Sequence, residues 1–371
     1  MRQSRGRVVE IETRAELEVR VARGATSLAG WHLQSVDLRG FALLATVDVA
    51  GALFLGCTFD DGMESSVRQR GGIVFPEVPE TPVDTYRSTL YTPEELYDTL
   101  DGSGYDDSLD ARAYAWSQQP ETPDGALAQA LHDHAVDQAL ADWVKGRRIV
   151  GVMGGHAAQR GSEEYAQAAR LGRDLGGAVT VATGGGPGAM EAANLGAWLA
   201  GAPPEVMDEA LAALAAAPSF KPSVGDWASA AFDVRRRWPE GTESLGIPTW
   251  YYGHEPPNPF ASSIAKYFAN AAREAILLEI CNGGIVFLPG AAGTVQEIFQ
   301  DACENYYADP AAVAPMVLVG EDYWTRDLPA WPLLQALARG RAMEPHVHLV
   351  DTADEAARVV LTQPGQPVRE S

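Results

Sequence analysis

The sequence predicts an α/β protein in which a parallel β-sheet carries helices on both faces, preceded by a small N-terminal β unit. From Arg148 onward, short apolar segments alternate with amphipathic ones, and glycine-rich turns follow several of the apolar segments. This alternation is typical of a parallel sheet whose crossover connections are helices. Residues 1–70 instead carry apolar side chains at five-residue intervals, which neither a helix nor a strand produces.

Composition narrows the class of protein. The chain has 371 residues and a net charge of −22, which argues against a general nucleic-acid binder because phosphate contacts need clustered Lys and Arg. Its three cysteines are too scattered for a disulfide framework or a metal signature. The N-terminus lacks the apolar core of a signal peptide, and no apolar run approaches the length of a membrane span. We therefore expect a cytoplasmic protein with no metal, no cofactor, and no membrane or nucleic-acid partner.

The N-terminal unit, residues 1–70, has a period of five with one slip of phase. A five-residue step with small and polar residues between resembles pentapeptide-repeat β-solenoids, which bury a core only by stacking. A small irregular β-sheet is the alternative, and the pattern alone leaves both open. The first series is Leu28, Leu33, Leu38 and Leu43, and the second is Leu44, Val49, Phe54 and Phe59.

Residues 71–145 are predicted to be a Pro-rich connector followed by a helix. Within the connector, Thr92 is placed to cap a short helix that has Pro93 at its first position. The pattern of residues 125–144 indicates a longer amphipathic helix that leads into the main domain.

The main domain, residues 146–362, is predicted to be Rossmann-like, with an insert at about 202–247 and a tail at 363–371. In the insert, Arg235–Arg237 is more typical of a solvated helix face than of a phosphate-binding cluster. Ligands of such sheets bind beyond the carboxyl ends of the strands. Strands are predicted within 148–155, 178–186, 283–290, 314–320 and 347–351, and helices within 162–177, 188–201 and 352–361.

The stretch "ATGGGPGAMEAAN" (182–194) places glycines between a strand and a helix. Glycines let the backbone approach a ligand closely, and a helix N-terminus directs amides at an anion. The spacing is not the GxGxxG dinucleotide fingerprint, and the lysine of a P-loop is missing. An NAD site is therefore disfavoured, while a phosphate site is not.

The stretch "LPGAAGTVQEIFQ" (288–300) repeats the device at a second strand end. Its glycines and Thr294 could offer amides and a hydroxyl to a phosphate. Thr294 and Glu297 also match a capping box, in which Glu297 would return to the N-cap amide. Local sequence alone favours the cap over a catalytic carboxylate.

The two motifs together resemble a known family. "GGGPGAMEAAN" followed about a hundred residues later by "PGxxGTxxE" resembles the LOG family, the cytokinin riboside 5′-monophosphate phosphoribohydrolases. "GHEPPNPF" preceded by a long insert resembles their larger bacterial relatives, the pyrimidine/purine nucleotide 5′-monophosphate nucleosidases. The resemblance covers about residues 147–362 and does not extend to residues 1–145.

The resemblance implies hydrolysis of the N-glycosidic bond of a nucleoside 5′-monophosphate, in at least a homodimer. It implies catalytic roles for Glu297, Arg273 and Glu191. For Glu297, the resemblance favours a catalytic carboxylate over the capping box that the local sequence favours. The alternative for Arg273 is a surface salt bridge with Glu274. The family's second loop glycine is Ala291 here, which a turn of ordinary φ would tolerate. The implied substrate and phosphate contacts are Gly154, Gly155, Gly184, Gly185, Gly186, Gly188, Met190, Asn258, Gly290, Ala291, Gly293 and Thr294.

Two other functions compete with hydrolysis. The first is a non-catalytic nucleotide sensor or carrier that uses the same pocket. The second is a pyridoxal-phosphate decarboxylase, which would need a lysine for the Schiff base. Of Lys145, Lys221 and Lys266, only Lys266 is expected near the ligand edge, on a helix that leads to Arg273, so a decarboxylase is disfavoured.

Overall fold

A computed structural model describes residues 9–78, 80–251 and 255–362. The predicted tail at 363–371 lies outside these ranges. The chain divides into two compact units, one made of Met1–Thr89 and Gln118–Ala139 and the other of Leu90–Ser117 and Leu140–Ser371.

The N-terminal unit contains four parallel strands stacked in chain order. Val9 pairs with Trp31, His32 with Leu53, and Leu53 with Ile73, so each turn of the chain advances by 20–22 residues. Four five-residue steps fill one such turn, which explains the period of five. The elements are β1 (Val9–Ile11), α1 (Arg14–Ala22), β2 (Trp31–Gln34), β3 (Leu53–Leu55), α2 (Met63–Gln69) and β4 (Ile73–Phe75).

The core of this unit follows the five-residue series. Leu43 is the exception: it is 49% exposed, whereas Leu44 is fully buried. The expectation that Leu43 belongs to the first series is therefore wrong, because the phase slip falls before it, in a short helical turn at Ala42–Ala45. Stacked parallel turns around this core describe a short β-solenoid rather than an irregular sheet. The series members that are buried are Leu28, Leu33, Leu38, Leu44, Val49 and Phe54.

Three helices follow the solenoid. The hydroxyl of Thr92 accepts a hydrogen bond from the Glu95 amide at 3.1 Å, and Pro93 is the first helical residue, as predicted. This is the expected arrangement because proline has no amide to leave unpaired at that position. The helices are α3 (Pro93–Leu96), α4 (Leu109–Ser117) and α5 (Pro123–Trp143).

The second unit contains a seven-stranded parallel sheet among its described residues, with helices on both faces, so the predicted Rossmann-like α/β fold is confirmed. The strand order is β11-β10-β9-β5-β6-β7-β8. Short strands β7 and β8 were not predicted, and β7 lies within the range assigned to the insert. The strands are β5 (Ile149–Met153), β6 (Thr180–Thr183), β7 (Ser244–Gly246), β8 (Ser263–Ile264), β9 (Ile285–Phe287), β10 (Met316–Val319) and β11 (Val347–Val350).

Two helices that follow the first two strands of this sheet pack unusually closely. A methyl group on Gly172 would lie 2.0 Å from the Ala193 carbonyl oxygen, and one on Gly196 would lie 1.9 Å from that of Ala169. Glycine at both contacts lets the two helix backbones touch, which holds the second helix, and with it the end of the loop that precedes it, against the first helix. The helices are α6 (Glu163–Gly176), α7 (Ala189–Trp198), α8 (Pro204–Leu214), α9 (Val224–Arg237), α10 (Asn270–Glu279), α11 (Ala292–Tyr307), α12 (Trp331–Ala338) and α13 (Ala353–Thr362).

Across residues 9–78, 80–251 and 255–362, none of the helices combines the length and apolar character that a membrane span requires.

Candidate functional site

The strand order places a topological switch point between β5 and β9. The chain runs from β5 outward through β6, β7 and β8, and then returns to add β9, β10 and β11 on the other side of β5. In open parallel sheets, ligands bind beyond the carboxyl ends of the strands at such a point. The loops after β5, β6 and β9 contain most of the predicted ligand residues, so the fold brings them to one edge.

Backbone hydrogen bonds tie these three loops together. The Gly155 amide donates to the Pro289 carbonyl at 3.2 Å, and the Ala189 amide donates to the Gly155 carbonyl at 3.2 Å. A methyl group on Gly154 would lie 3.0 Å from Cβ of Leu288 and 3.1 Å from Cβ of Ala189. Gly154 and Gly155 therefore pack the middle loop between its two neighbours.

The loop after β6, residues 184–188, is buried and depends on glycine at two positions. Gly185 has φ +73° and Gly188 has φ +78°, a region that other residues rarely adopt. A methyl group on Gly188 would also lie 2.6 Å from the carbonyl oxygen of His156. Both glycines are thus required by the backbone itself.

Asn258 holds this loop in place. Its amide nitrogen donates to the Gly186 carbonyl at 3.2 Å, and its backbone amide donates to the Gly185 carbonyl at 2.8 Å. The side chain is fully buried, and its oxygen accepts from the amides of Phe260 and Ala261. Asn258 was predicted to contact substrate, but in this structure it supports the loop from behind. Gly253 and His254 of the same motif lie outside the described residues.

The loop after β9 is more open. Ala291 is exposed and has φ −95°, which any residue adopts, so its methyl group causes no backbone strain. Gly290 is buried and carries the constraint here, since a methyl group on it would lie 2.1 Å from the Thr294 hydroxyl oxygen. The Tyr323 hydroxyl donates to the Gly290 carbonyl at 2.8 Å. Gly293 has open space around it.

The capping-box interpretation of Thr294 and Glu297 is wrong. Helix α11 begins at Ala292 with Ala291 as its N-cap, and no side chain caps it. Thr294 is therefore the third helical residue, and Glu297 lies in the second turn, too far along the helix to return to the N-cap amide. Helix capping therefore does not explain why a glutamate stands at position 297.

Arg273 lies over the loop after β6. A methyl group on Gly184 would lie 3.3 Å from Nη2 of Arg273 and 2.7 Å from Sδ of Met190. The alternative salt bridge with Glu274 does not form, because Glu274 accepts hydrogen bonds from Asn270 and Gln296 instead. Among the described residues, the buried Nε of Arg273 has no hydrogen-bond partner, which leaves the guanidinium available to a ligand.

Glu297 is half-buried, and its carboxylate has a perturbed pKa. Burial raises the pKa of Glu297, the positive charge of Arg273 lowers it, and the negative charge of Glu274 raises it, and the net result is a pKa of about 7. The structure thus brings Glu297 close to Arg273 from a separate helix. A carboxylate of this pKa exchanges protons near neutral pH, as a general acid or base must.

Glu191 lies apart from this pair, in a buried ion pair. Its Oε1 accepts from Nε of Arg160 at 3.0 Å and from Nη2 of the same residue, and both side chains are 1% exposed. Arg160 also donates to the carbonyls of Ala217 and Trp227. Arg160 therefore joins the loop after β5 both to the insert and to the predicted catalytic carboxylate, and no sequence signal pointed to Arg160 as the partner of Glu191.

Lys266 is not positioned to form a Schiff base. It lies after β8, outside any helix, so its expected helical position is wrong. Its ammonium is 1% exposed and pairs with Asp110, which also accepts from the indole of Trp250 at 2.8 Å.

Glu255 was missed by the sequence reasoning, although the motif that contains it was noted. Its Oε2 would lie 3.6 Å from a methyl group on Gly186, so it approaches the loop after β6. Arg273 contacts the same loop two residues earlier, at Gly184. A carboxylate next to a glycine-rich strand end could have been considered a ligand of sugar hydroxyls.

Two clefts lie away from these residues. One of about 400 Å³ lies between Trp198, Phe232, Arg235 and Glu94, and one of about 540 Å³ lies between Tyr105, Tyr114 and residues 222–225. Of the predicted arginine triplet, Arg235 is not solvated: it stacks 4.2 Å over Trp198 and donates to Glu94 at 2.7 Å.

Comparisons with known proteins show only distant similarity. No family model matches the chain, and no curated protein matches it. A molybdenum cofactor binding protein from the phototrophic bacterium Rippkaea orientalis aligns at 15% identity and TM-score 0.38, over 59% of this chain and 98% of its own. Two structures of the molybdenum cofactor carrier protein from Chlamydomonas reinhardtii align at 18% and 19% identity, each at TM-score 0.35, over 58% of this chain and 99% and 98% of theirs. Similarity at this level carries no argument about ligand or activity.

Proposed function

We propose that the sheet edge binds a nucleoside 5′-monophosphate and that Glu297, with Arg273, cleaves its N-glycosidic bond. The observation that carries the proposal is the proximity, at the switch point of the sheet, of a half-buried carboxylate of pKa about 7 to a guanidinium whose buried Nε has no hydrogen-bond partner among the described residues. The resemblance of these motifs to the LOG family supports the same reaction.

Binding would use the two loops and Arg273. The N-termini of α7 and α11 direct backbone amides toward an anion, and the guanidinium can hold a phosphate through two hydrogen bonds. A phosphate held away from the reacting bond orients the sugar, so C1′ is presented in a fixed position.

Cleavage would use the carboxylate of Glu297. The water oxygen bonds to C1′ while the C1′–N bond breaks, and the electron pair of that bond leaves with the base. Glu297 accepts the proton from water, and the departing base takes a proton from solvent. The ionised carboxylate also stabilises the positive charge that develops at C1′.

A panel of nucleotides tests this proposal. The full chain is incubated with AMP, GMP, CMP, UMP and a cytokinin ribotide, and free base is measured by chromatography. We expect release from at least one, and much slower release from the corresponding nucleoside, which lacks the phosphate. Folded protein that releases no base from any of them would contradict hydrolysis.

A non-catalytic nucleotide-binding or carrier protein is the second candidate, and the burial of Glu191 favours it. If cleavage needs two carboxylates at the sugar, one of them is sequestered in the pair with Arg160. Nucleotide binding without turnover, unchanged in Glu297→Gln, would select this candidate. The ligands tested for binding include the molybdenum cofactor, which the three similar structures bind or carry.

Assembly into at least a homodimer is a separate proposal. Helix α10 has apolar residues that are exposed or only partly buried, including Ala271, Ala272 and Ile276. Sedimentation velocity of the full chain tests it, and a monomer across micromolar concentrations would contradict it.

A further inference from the structure

We infer that Glu255 binds ribose hydroxyls of the nucleotide and makes the site select ribonucleotides over 2′-deoxyribonucleotides. The inference rests on the proposed nucleotide site. It concerns binding rather than bond cleavage, so it applies to the catalytic and the non-catalytic candidate alike.

The position of Glu255 complements that of Arg273. Arg273 lies over Gly184 and Glu255 lies beside Gly186, so opposite charges stand at two points of one loop. A guanidinium and a carboxylate beside two glycines of the same loop complement a ribose 5-phosphate, which carries its anion at one end and its hydroxyl donors at the other.

The carboxylate of Glu255 is available to a ligand. It is partly exposed, and within the described ranges it takes part in no hydrogen bond or ion pair. An ionised carboxylate only accepts hydrogen bonds, so its partners must be donors. A phosphate is excluded by charge, which leaves the sugar hydroxyls or an amino group of the base.

A buried cation, Lys266, lies near Glu255 without pairing with it. Burial lowers the pKa of the Lys266 ammonium, while the negative charges of Asp110 and Glu255 act in the opposite direction. Lys266 forms its ion pair with Asp110 and not with Glu255. The ammonium therefore attracts the carboxylate without occupying its oxygens.

Equilibrium binding of AMP and 2′-deoxy-AMP to the full chain tests the inference, and every protein compared, including the one with the natural Glu255, carries Glu297→Gln so that neither nucleotide is cleaved during the titration. Calorimetry compares the protein with the natural Glu255 with Glu255→Ala and Glu255→Gln, and with Glu279→Gln as a control, because Glu279 is an exposed glutamate at the end of α10. We expect the protein with the natural Glu255 to bind AMP about tenfold tighter or more, as for a hydrogen bond to a charged group. Glu255→Ala should bring this ratio near one and leave 2′-deoxy-AMP affinity within about threefold.

The ratio is the informative quantity. Removing a negative charge strengthens phosphate binding equally for both nucleotides, so that effect cancels. Equal affinities with the natural Glu255, or an unchanged ratio in both variants, would overturn the inference. The affinities for AMP and IMP, which differ only in the base, are compared in the same proteins. If Glu255→Ala changes the ratio of AMP to IMP affinity instead of the ratio of AMP to 2′-deoxy-AMP affinity, Glu255 contacts the base, which also overturns the inference. If the folded protein with the natural Glu255 binds neither nucleotide, the proposed nucleotide site itself is wrong. Equal binding of both nucleotides would contradict only the role of Glu255.

Discussion

The two glycine-containing loops at the sheet edge look alike in sequence but are fixed in different ways. Residues 184–188 are buried, and Gly185 and Gly188 have positive φ. In the loop after β9, Ala291 has an ordinary φ, and the helix that begins at Ala292 defines the geometry. Glycine is thus a backbone requirement in the first loop, whereas the second tolerates a methyl group and is followed by the ionisable Glu297. Under the proposed function, the first loop positions the ligand and the second is followed by the residue that supplies the chemistry.

The largest effect is expected from Glu297→Gln. We expect kcat to fall roughly 10²- to 10⁴-fold, because the general base and its charge are lost. The nucleotide Kd should stay within about threefold, and the free energy of unfolding should not fall, because a desolvated carboxyl is replaced by a neutral amide. Steady-state kinetics and urea unfolding measure these quantities, with Glu279→Gln as control. Wild-type kcat in Glu297→Gln would assign the chemistry elsewhere.

Gly188→Ala should mainly affect stability. A residue forced into positive φ costs on the order of 1–3 kcal/mol, and the new methyl group would also meet the His156 carbonyl. We expect the free energy of unfolding to fall by about 2 kcal/mol or more, together with loss of nucleotide binding. The matched control is Gly293→Ala, in the first turn of α11 with open space around it, which should be neutral or slightly stabilising. Equal effects at both sites would remove the distinction between the loops.

The pH dependence should reflect Glu297. Because the ionised carboxylate is the active form, kcat should rise with pH through a midpoint near 7. Arg273→Met removes the cation that lowers this pKa, so the midpoint should move upward. An ordinary glutamate, of pKa 4.5, stays mostly ionised above pH 5. A pH–rate profile that is flat from pH 5 to 9 would therefore contradict the assignment.

The same pKa has a consequence for stability. A carboxyl of raised pKa binds more protons in the folded state than in the unfolded state between its ordinary pKa of 4.5 and about 7. The contribution of Glu297 to stability is therefore full below that window and is lost as pH rises through it. Glu297→Gln should flatten this part of the unfolding profile.

The smallest effect is expected from Ala291→Gly. Its φ is ordinary, so glycine relieves no strain, and the preference of an N-cap for glycine over alanine is offset by the greater freedom of glycine in the unfolded chain. We expect kcat/KM within about twofold of wild type and a change in stability of at most about 0.5 kcal/mol. A tenfold gain in nucleotide affinity would show instead that the methyl group obstructs the phosphate.

Long periodic segments were predictable because each one carries its own pattern. Five strands of the large sheet, the helices that follow them and the five-residue step of the solenoid all appear in the sequence. Strands β7 and β8 have only three and two residues, too few for a pattern, and pairing with β6 and with each other defines them.

The sequence by itself determined the fold class, the sheet edge proposed as the ligand site, and Glu297 and Arg273 as candidates. Tertiary structure decided what those candidates can do. Helix α11 begins three residues earlier than the capping box requires, because the β9 loop sets its start. Glu191 pairs with Arg160 from 31 positions away, and Glu255 reaches a loop about 70 residues earlier in the chain. Local sequence carries propensity and periodicity, but burial and the partner of a charge depend on contacts between distant segments, which exist only once the chain has folded.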